Sequence, residues 1–223
     1  MKRTKLKDRA LPTYTRGEEI FNMVSHIAGG GLSVAALVIM VVFAAIKGDG
    51  WSVVSVCIFG ASLIVLYTMS SVYHGLFFGT AKKVMQVLDH CTIYFLIAGT
   101  YTPILLSAVR KTDPVCAWIV FGVEWGLAAL AATLTAIDLK KYNKFSFISY
   151  IGMGWAAVFA LPQTVRALTL AGFLWVLAGG IFYTVGAVFF SVGKKIKYMH
   201  SVFHLLTVLG SVCHVIAVLF YAI

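Results

Sequence analysis

The stretch MHSVFHLLTVLGSVCHVIAVLFY, residues 199–221, decides the class of fold. It holds no Asp, Glu, Lys or Arg, and a helix of this length, at about 1.5 Å of rise per residue, crosses the ~30 Å hydrocarbon core of a bilayer. Burying a histidine inside such a span costs free energy, so the residue is expected to have a polar partner or a functional role. His200 and His204 lie one turn apart on one helical face, a spacing that suits a shared metal ion. His214 follows ten residues later, near the same face and deeper.

The composition extends this conclusion to the whole chain. Of the 223 residues, 61% are hydrophobic and 12% are charged, which is typical of a polytopic membrane protein rather than a soluble globular domain. The net charge of +10 does not indicate nucleic-acid binding. The basic residues lie in short segments between apolar runs, as membrane topology requires.

Seven apolar runs are long enough, or nearly so, to cross a bilayer. They are Phe21–Ile46, Trp51–Phe77, Val84–Ala108, Pro114–Ile137, Phe145–Leu161, Leu168–Val192 and Met199–Tyr221. We therefore predict an all-α fold, an integral membrane bundle of seven transmembrane helices, of which the fifth is the shortest. Residues 1–20 form a basic cytoplasmic head, and residues 21–223 form a single seven-helix transmembrane domain.

The distribution of lysine and arginine predicts the orientation of the bundle. Of the 18 basic residues, only Lys47, Arg110, Lys111 and Arg166 follow odd-numbered spans. The others lie in the head or after an even-numbered span: Lys2, Arg3, Lys5, Lys7, Arg9, Arg16, Lys82, Lys83, Lys140, Lys141, Lys144, Lys194, Lys195 and Lys197. The positive-inside rule then places the N-terminus in the cytoplasm and the C-terminus outside, and we expect the head to be a solvated segment.

With this topology, polar residues from four spans fall near the cytoplasmic face. They are Glu19, Asn22 and His26 at the start of span one, His74 at the end of span two, Asp89 and His90 at the start of span three, and His200 and His204 at the start of span seven. The first three are spaced i, i+3, i+7 and so share one helical stripe. We expect these side chains to converge at one depth of the bundle.

The chemistry that this convergence predicts is a zinc site. Neutral imidazoles from His74, His200 and His204 would leave a fourth position for water, which is the ligand pattern of a catalytic zinc. Asp89 would hold and deprotonate that water, whose pKa zinc lowers toward about 7. The hydroxyl of Ser70, one turn before His74, would hydrogen-bond the water or polarise a substrate carbonyl.

Other interpretations of the same residues stay open. We expect the three ligands to be surrounded and oriented by five further side chains: Glu19, Asn22, His26, His90 and His214. Alternatively, His26 and His90 can be hydrogen-bonded packing residues. Glu19 and Asn22 can cap and solvate the start of span one. The zinc itself can be structural, because an open fourth position is inferred from the ligand count alone.

The order and spacing of these motifs resemble a known family from about residue 17 to the end of the chain. The matching motifs are Glu19-x2-Asn22-x3-His26, Ser70-x3-His74, Leu88-Asp89-His90 leading into Ala98-Gly99-Thr100-Tyr101-Thr102-Pro103, and His200-x3-His204 with His214 ten residues on. The sequence is similar to the bacterial hemolysin III proteins, within the superfamily of progestin and adipoQ receptors.

The resemblance implies a seven-helix bundle with a cytoplasmic N-terminus in the bacterial inner membrane. It implies zinc at His74, His200 and His204, with Asp89 contacting the zinc-bound water. In the adiponectin-receptor branch, this site is associated with ceramide hydrolysis. The expected partners are membrane lipids and a lipid substrate or ligand, and protein partners are not indicated.

Several functions compete. The first is a zinc-dependent hydrolase of a lipid amide or ester near the cytoplasmic leaflet. The second is a non-catalytic membrane sensor or lipid-homeostasis protein with structural zinc. A pore-forming hemolysin is disfavoured, because a conducting path needs a polar lining through the whole bilayer. Proton-coupled transport would rest on Glu124, in the middle of span four, and on His214, which we expect to be its partner.

Overall fold

The computed structural model describes residues 3–193 and 195–223, and of Lys7 only the backbone. Lys2 and Lys194, which enter the charge distribution above, lie outside the described residues. Within that part of the chain, the regular secondary structure is all helical and contains no strand. The predicted all-α class is therefore confirmed.

Seven α-helices follow one another within the described residues. They are α1 (Arg16–Lys47), α2 (Gly50–Gly75), α3 (Gly79–Pro103), α4 (Pro114–Ile137), α5 (Asn143–Gly154), α6 (Leu161–Val192) and α7 (Met199–Ala217). Their starts follow local sequence signals: Thr15 and Glu18 form a capping box before α1, and Asp49 caps α2 through the Ser52 N–H. Short π-helical turns at Ile104–Ala108 and Val218–Ala222 extend α3 and α7.

Six helical segments in the described residues are long and apolar enough to cross a membrane. The predicted fifth span, Phe145–Leu161, is instead α5 with its 12 residues, followed by a 3-10 helix over Ala156–Ala160 and the start of α6. Twelve helical residues rise only about 18 Å, less than the ~30 Å of the hydrocarbon core. The predicted seven spans are therefore not confirmed as seven separate long helices.

Helix α6 is interrupted at Thr169. This residue has a φ of 62° and a ψ of 169°, outside the helical region. A β-branched residue at positive φ is strained, so the surrounding packing must hold it there. The chain therefore changes direction between the short first part of α6, up to Leu168, and its long second part.

Helix α3 is the centre of the bundle. In the apolar 18-residue stretch of Gly79–Lys111, 83% of the residues are buried. In the corresponding stretch of Arg16–Lys47, only 22% are buried. The three buried apolar clusters all include residues of α3, namely Leu96 in the first, Tyr94 in the second and Tyr101 in the third. The outer helices thus expose much of their apolar surface, as expected for helices that face lipid.

The N-terminal head, which we expected to be solvated, has many exposed residues but also contacts the bundle at a few positions. The Thr4 N–H donates to Asp138 Oδ2 at 2.7 Å, and Arg3 Nε donates to the Ile137 carbonyl at 2.9 Å. Arg9 is only 6% exposed. Helix α1 begins at Arg16, so the predicted boundary between residues 20 and 21 falls within the first turns of that helix.

Candidate metal centre

Three buried histidines meet at one end of the bundle. His74 comes from the last turn of α2, and His200 and His204 come from the first turns of α7. One ring nitrogen from each lies within 4.8 Å of the others, and the two Nε2 atoms of His200 and His204 are 3.2 Å apart. The sequence predicted this grouping, and the group could hold a metal ion.

The start of α7 is fixed to the start of α1. Tyr198, which precedes α7, has a φ of 62°, and its N–H donates to Glu18 Oε1 at 2.7 Å. Glu18 Oε2 also accepts from the Thr15 N–H and hydroxyl in the capping box. The same carboxylate therefore orders both helix starts, and with them the first turns of α7 that carry His200 and His204.

The protonation of His74 follows from its neighbour. His74 Nδ1 lies 2.6 Å from Glu19 Oε2. An ionised carboxylate only accepts hydrogen bonds, so Nδ1 is the donor of this contact, and in the neutral tautomer with that proton Nε2 presents a lone pair. His74 Nε2 is buried and has no hydrogen-bond partner among the described residues. A metal ligand oriented by a carboxylate on its other nitrogen has this arrangement, so the residues present fit a bound ion.

The rest of the predicted α1 stripe packs against α7. Asn22 is fully buried and accepts a hydrogen bond from the Ser201 hydroxyl at 2.7 Å. The His26 ring stacks on the His204 ring with centroids 3.7 Å apart. Thr15 and Glu18 cap α1, so the alternative in which Glu19 and Asn22 cap this helix is wrong. Both side chains face the histidine group instead.

Asp89 and Ser70, the predicted catalytic residues, lie outside the three-histidine group, although Ser70 precedes His74 by one turn of α2. Both line a cavity that also reaches His26. The Asp89 side chain is 14% exposed, whereas Ser70 is buried. His90 Nδ1 contacts the Gln86 carbonyl at 2.8 Å and lies 3.7 Å from Asp89 Oδ2. No finding tests the catalytic roles, which stay predictions.

The cavity is mostly apolar and lies between α3, α5, α6 and α7. Its walls include Ile97, Phe173, Leu177 and Phe203. The polar side chains Ser70, Asp89 and His26 belong to its lining, and the His26 ring also stacks on His204 of the histidine group. An apolar cavity with a few convergent polar groups is the usual form of a ligand site, and here the lining suits a hydrocarbon chain.

His214 and Glu124 do not form the pair that the sequence suggested. His214 Nε2 lies 3.2 Å from the Val176 carbonyl, and a Cβ added at Gly179 would be 2.6 Å from that nitrogen. The His214 ring thus fills the space that Gly179 leaves on α6, away from the three histidines. Glu124 is fully buried, and its two oxygens have no hydrogen-bond partner among the described residues.

Two residues near the histidines were missed by sequence reasoning. In the sequence, Lys82 entered only the comparison of Lys and Arg residues on the two sides of the membrane. In the structure, its ammonium lies 2.6 Å from Glu19 Oε1. Tyr14 counted only as part of the head, yet its ring stacks on His200 with centroids 4.8 Å apart. Burial, with the carboxylates of Glu19 and Asp89, raises the pKa of the Tyr14 phenol, so Tyr14 stays neutral. No sequence spacing relates either residue to the histidines.

Fold and site together define a multi-pass helical membrane protein with a buried three-histidine group. Comparison with known proteins then gives the family. The sequence model described as "Haemolysin-III related" matches residues 14–215, and the chain belongs to this family. The predicted resemblance is thereby confirmed.

Individual relatives agree with this assignment. The chain is 36% identical over 210 residues to "Hemolysin-3 homolog" of Bacillus subtilis (strain 168), covering 94% of this chain and 97% of the relative. It is 37% identical over 206 residues to "Hemolysin-3" of Bacillus cereus, covering 92% of each. The human "Monocyte to macrophage differentiation factor" is 25% identical over 199 residues, covering 84% of this chain and 78% of that protein. No solved structure matches the chain at comparable significance.

Proposed function

We propose that this protein is a zinc-dependent hydrolase of a lipid amide or ester in the bacterial inner membrane. One observation carries the proposal: His26 stacks on His204 of the buried three-histidine group and also lines an apolar cavity that Asp89 and Ser70 line. Three imidazoles are the protein ligands of many catalytic zinc sites. A carboxylate and a hydroxyl on the wall of a cavity suited to acyl chains would complete a hydrolytic site.

The roles of the protein's own residues follow from their chemistry. A zinc ion held by the three histidines would supply Lewis-acid polarisation and activation of water. Asp89 would accept a proton from the attacking water while the water oxygen bonds to the carbonyl carbon. The Ser70 hydroxyl would donate a hydrogen bond to the carbonyl oxygen. Asp89 would then return the proton to the departing amine or alcohol as the C–N or C–O bond breaks.

The experiment that tests this proposal measures metal and product together. Purified wild type is expected to contain about one zinc ion per chain, and His74→Ala, His200→Ala and His204→Ala are each expected to lose it. The zinc-loaded wild type is then incubated with lipid extract from the native membrane. Free fatty acid that appears with wild type and not with Asp89→Asn would support hydrolysis. A zinc-loaded wild type that releases no product would refute it.

A specific observation favours a second function, that of a non-catalytic sensor or homeostasis protein with structural zinc. Contacts at this end already join α1, α2 and α7 through Glu19, Asn22 and His26. An ion bound there would connect α2 to α7 and stabilise the bundle. In that case His204→Ala would lower the thermal unfolding temperature in detergent, and no product would form with wild type. Lysis, which the names of the bacterial relatives suggest, would then arise from bilayer perturbation.

We also propose that the bundle has seven crossings, with the N-terminus in the cytoplasm. The segment from Asn143 to Leu168 comprises α5, the 3-10 helix and the first part of α6, and it is long enough for a crossing at about 1.5 Å per residue. The non-helical Thr169 would be its outer turn. Alkaline phosphatase fused after Ile223 should be active outside the cell. If green fluorescent protein fused at the same position fluoresces, the proposed orientation is refuted.

A further inference from the structure

Lys82 is a buried lysine whose ammonium makes close contacts to three oxygens. The side chain belongs to the start of α3 and is only 2% exposed. Its Nζ lies 2.6 Å from Glu19 Oε1, 2.6 Å from the Leu76 carbonyl and 3.3 Å from the Tyr73 carbonyl. The Tyr73 ring lies 4.8 Å from the same atom. Buried lysines of this kind are rare unless paired, and here the pair includes a group that touches the histidine site.

The two oxygens of Glu19 have different partners. Oε1 accepts from the Lys82 ammonium, and Oε2 accepts from His74 Nδ1, each at 2.6 Å. A carboxylate anchored at one oxygen by an ammonium cannot turn without losing that contact. Its second oxygen is therefore held where His74 needs an acceptor, and the His74 ring is fixed with Nε2 toward the other two histidines.

We infer that Lys82 is a positioning residue for the metal centre: by anchoring Glu19, it sets the proton location and ring orientation of His74. This inference rests on the proposed metal centre and adds a chain of three residues, Lys82, Glu19 and His74, contributed by α3, α1 and α2. The Tyr73 and Leu76 carbonyls, on either side of His74 in the sequence, bind the same ammonium. Lys82 thus holds both the backbone around His74 and the carboxylate that orients its ring.

The inference predicts that loss of Lys82 weakens metal binding through Glu19. Removal of a group that orients a ligand typically lowers metal affinity about 10–100-fold. In Lys82→Met, Glu19 Oε1 has no ammonium, so the carboxylate can rotate away from His74 Nδ1. In a Glu19→Gln background, that route is already absent, and Lys82→Met should add no more than about 3-fold.

The test is a double-mutant cycle on the full chain in detergent. Zn²⁺ affinity is measured by competition with a chromophoric chelator for wild type, Lys82→Met, Glu19→Gln and the double variant. Lys83→Met is the matched control, because it makes the same charge change one residue further on, at a partly exposed side chain. Thermal unfolding of each metal-free variant shows whether the fold is intact. Lys82→Gln, which keeps N–H donors, replaces Lys82→Met if the latter does not fold, with the same expectation.

Each outcome bears on a distinct claim. Weak Zn²⁺ binding in Lys82→Met, wild-type binding in Lys83→Met and no further loss in the double variant would support the inference. Equal losses from Lys82→Met in both backgrounds would overturn it, because Lys82 would then act independently of Glu19. Wild-type affinity in Lys82→Met, with zinc bound by wild type, would overturn it while leaving the proposed metal centre intact. A wild type without zinc affinity would overturn both.

Discussion

Replacing His204 with alanine distinguishes a role in metal binding from a role in core packing. His204 is 1% exposed, its Nε2 lies 3.2 Å from His200 Nε2, and its ring stacks on His26 with centroids 3.7 Å apart. Loss of this ring from a packed core should lower the metal-free stability by about 2–4 kcal/mol. The same substitution removes one of three candidate ligands, and that loss is a separate effect, measured as zinc affinity.

The effect on metal binding can be estimated. Structural zinc in zinc-finger peptides contributes roughly 10–16 kcal/mol of binding free energy, which serves as the reference here. If each ligand contributes a comparable share, the loss of one removes roughly 3–5 kcal/mol, which is at least a 100-fold weaker Kd. The assay is Zn²⁺ titration against a chelator, with thermal unfolding recorded in the presence and absence of zinc.

His214→Ala is the matched control for this prediction. His214 is on the same helix, is 5% exposed and contacts the Val176 carbonyl, but it lies outside the three-histidine group. It should lose a similar amount of metal-free stability and keep zinc affinity within about 3-fold of wild type. The reasoning fails if His204→Ala binds zinc like wild type, or if the two variants lose zinc equally.

Three further changes test the site and the head. Asp89→Asn should keep zinc but lower lipid turnover about 10²–10⁴-fold, measured by fatty-acid release; unchanged release would rule out a proton-transfer role. Tyr14→Ala should speed removal of zinc by a chelator several-fold because the ring covers His200, whereas Tyr14→Phe should not; equal rates would show that the head does not shield the site. The third change concerns Asp138. Burial of this carboxylate raises its pKa, but hydrogen bonds from the Thr4 and Lys141 N–H groups outweigh that effect and hold the pKa of Asp138 below its usual value. This carboxylate therefore adds stability above about pH 4 that is lost as the pH falls through its folded-state pKa. Asp138→Asn should lower the unfolding temperature by about 2–4 °C near pH 7 and by less near pH 3, and a difference that does not depend on pH would contradict this.

Local sequence signals predicted the parts of the site that lie on one element. His200 and His204 share a face because four residues make about one helical turn, and Glu19, Asn22 and His26 share a stripe for the same reason. The length of apolar runs gave the order of the helices, because the thickness of the bilayer sets the length of a span. The fifth span was the exception, since a 3-10 helix and the positive φ of Thr169 divide that region in a way that hydropathy does not record.

The expected pair of Glu124 and His214 shows the limit of an argument from depth. Residues at similar depth meet only if their helices face each other with the right rotation. In the structure, His214 faces α6 at Val176, and Glu124 has no hydrogen-bond partner among the described residues. The rotation of α4 and α7 is set by packing against α3 and α6, which hydropathy does not encode.

The sequence by itself determined that this is a helical membrane protein, and it determined which histidines could share an ion. Both conclusions follow from periodicity and length, which are properties of single segments. Only the tertiary structure decided that Glu19 orients His74, that Lys82 anchors Glu19 and that Tyr14 covers His200. Those contacts join separate helices and the head, so they depend on how the helices rotate and pack together, which no spacing along the chain specifies.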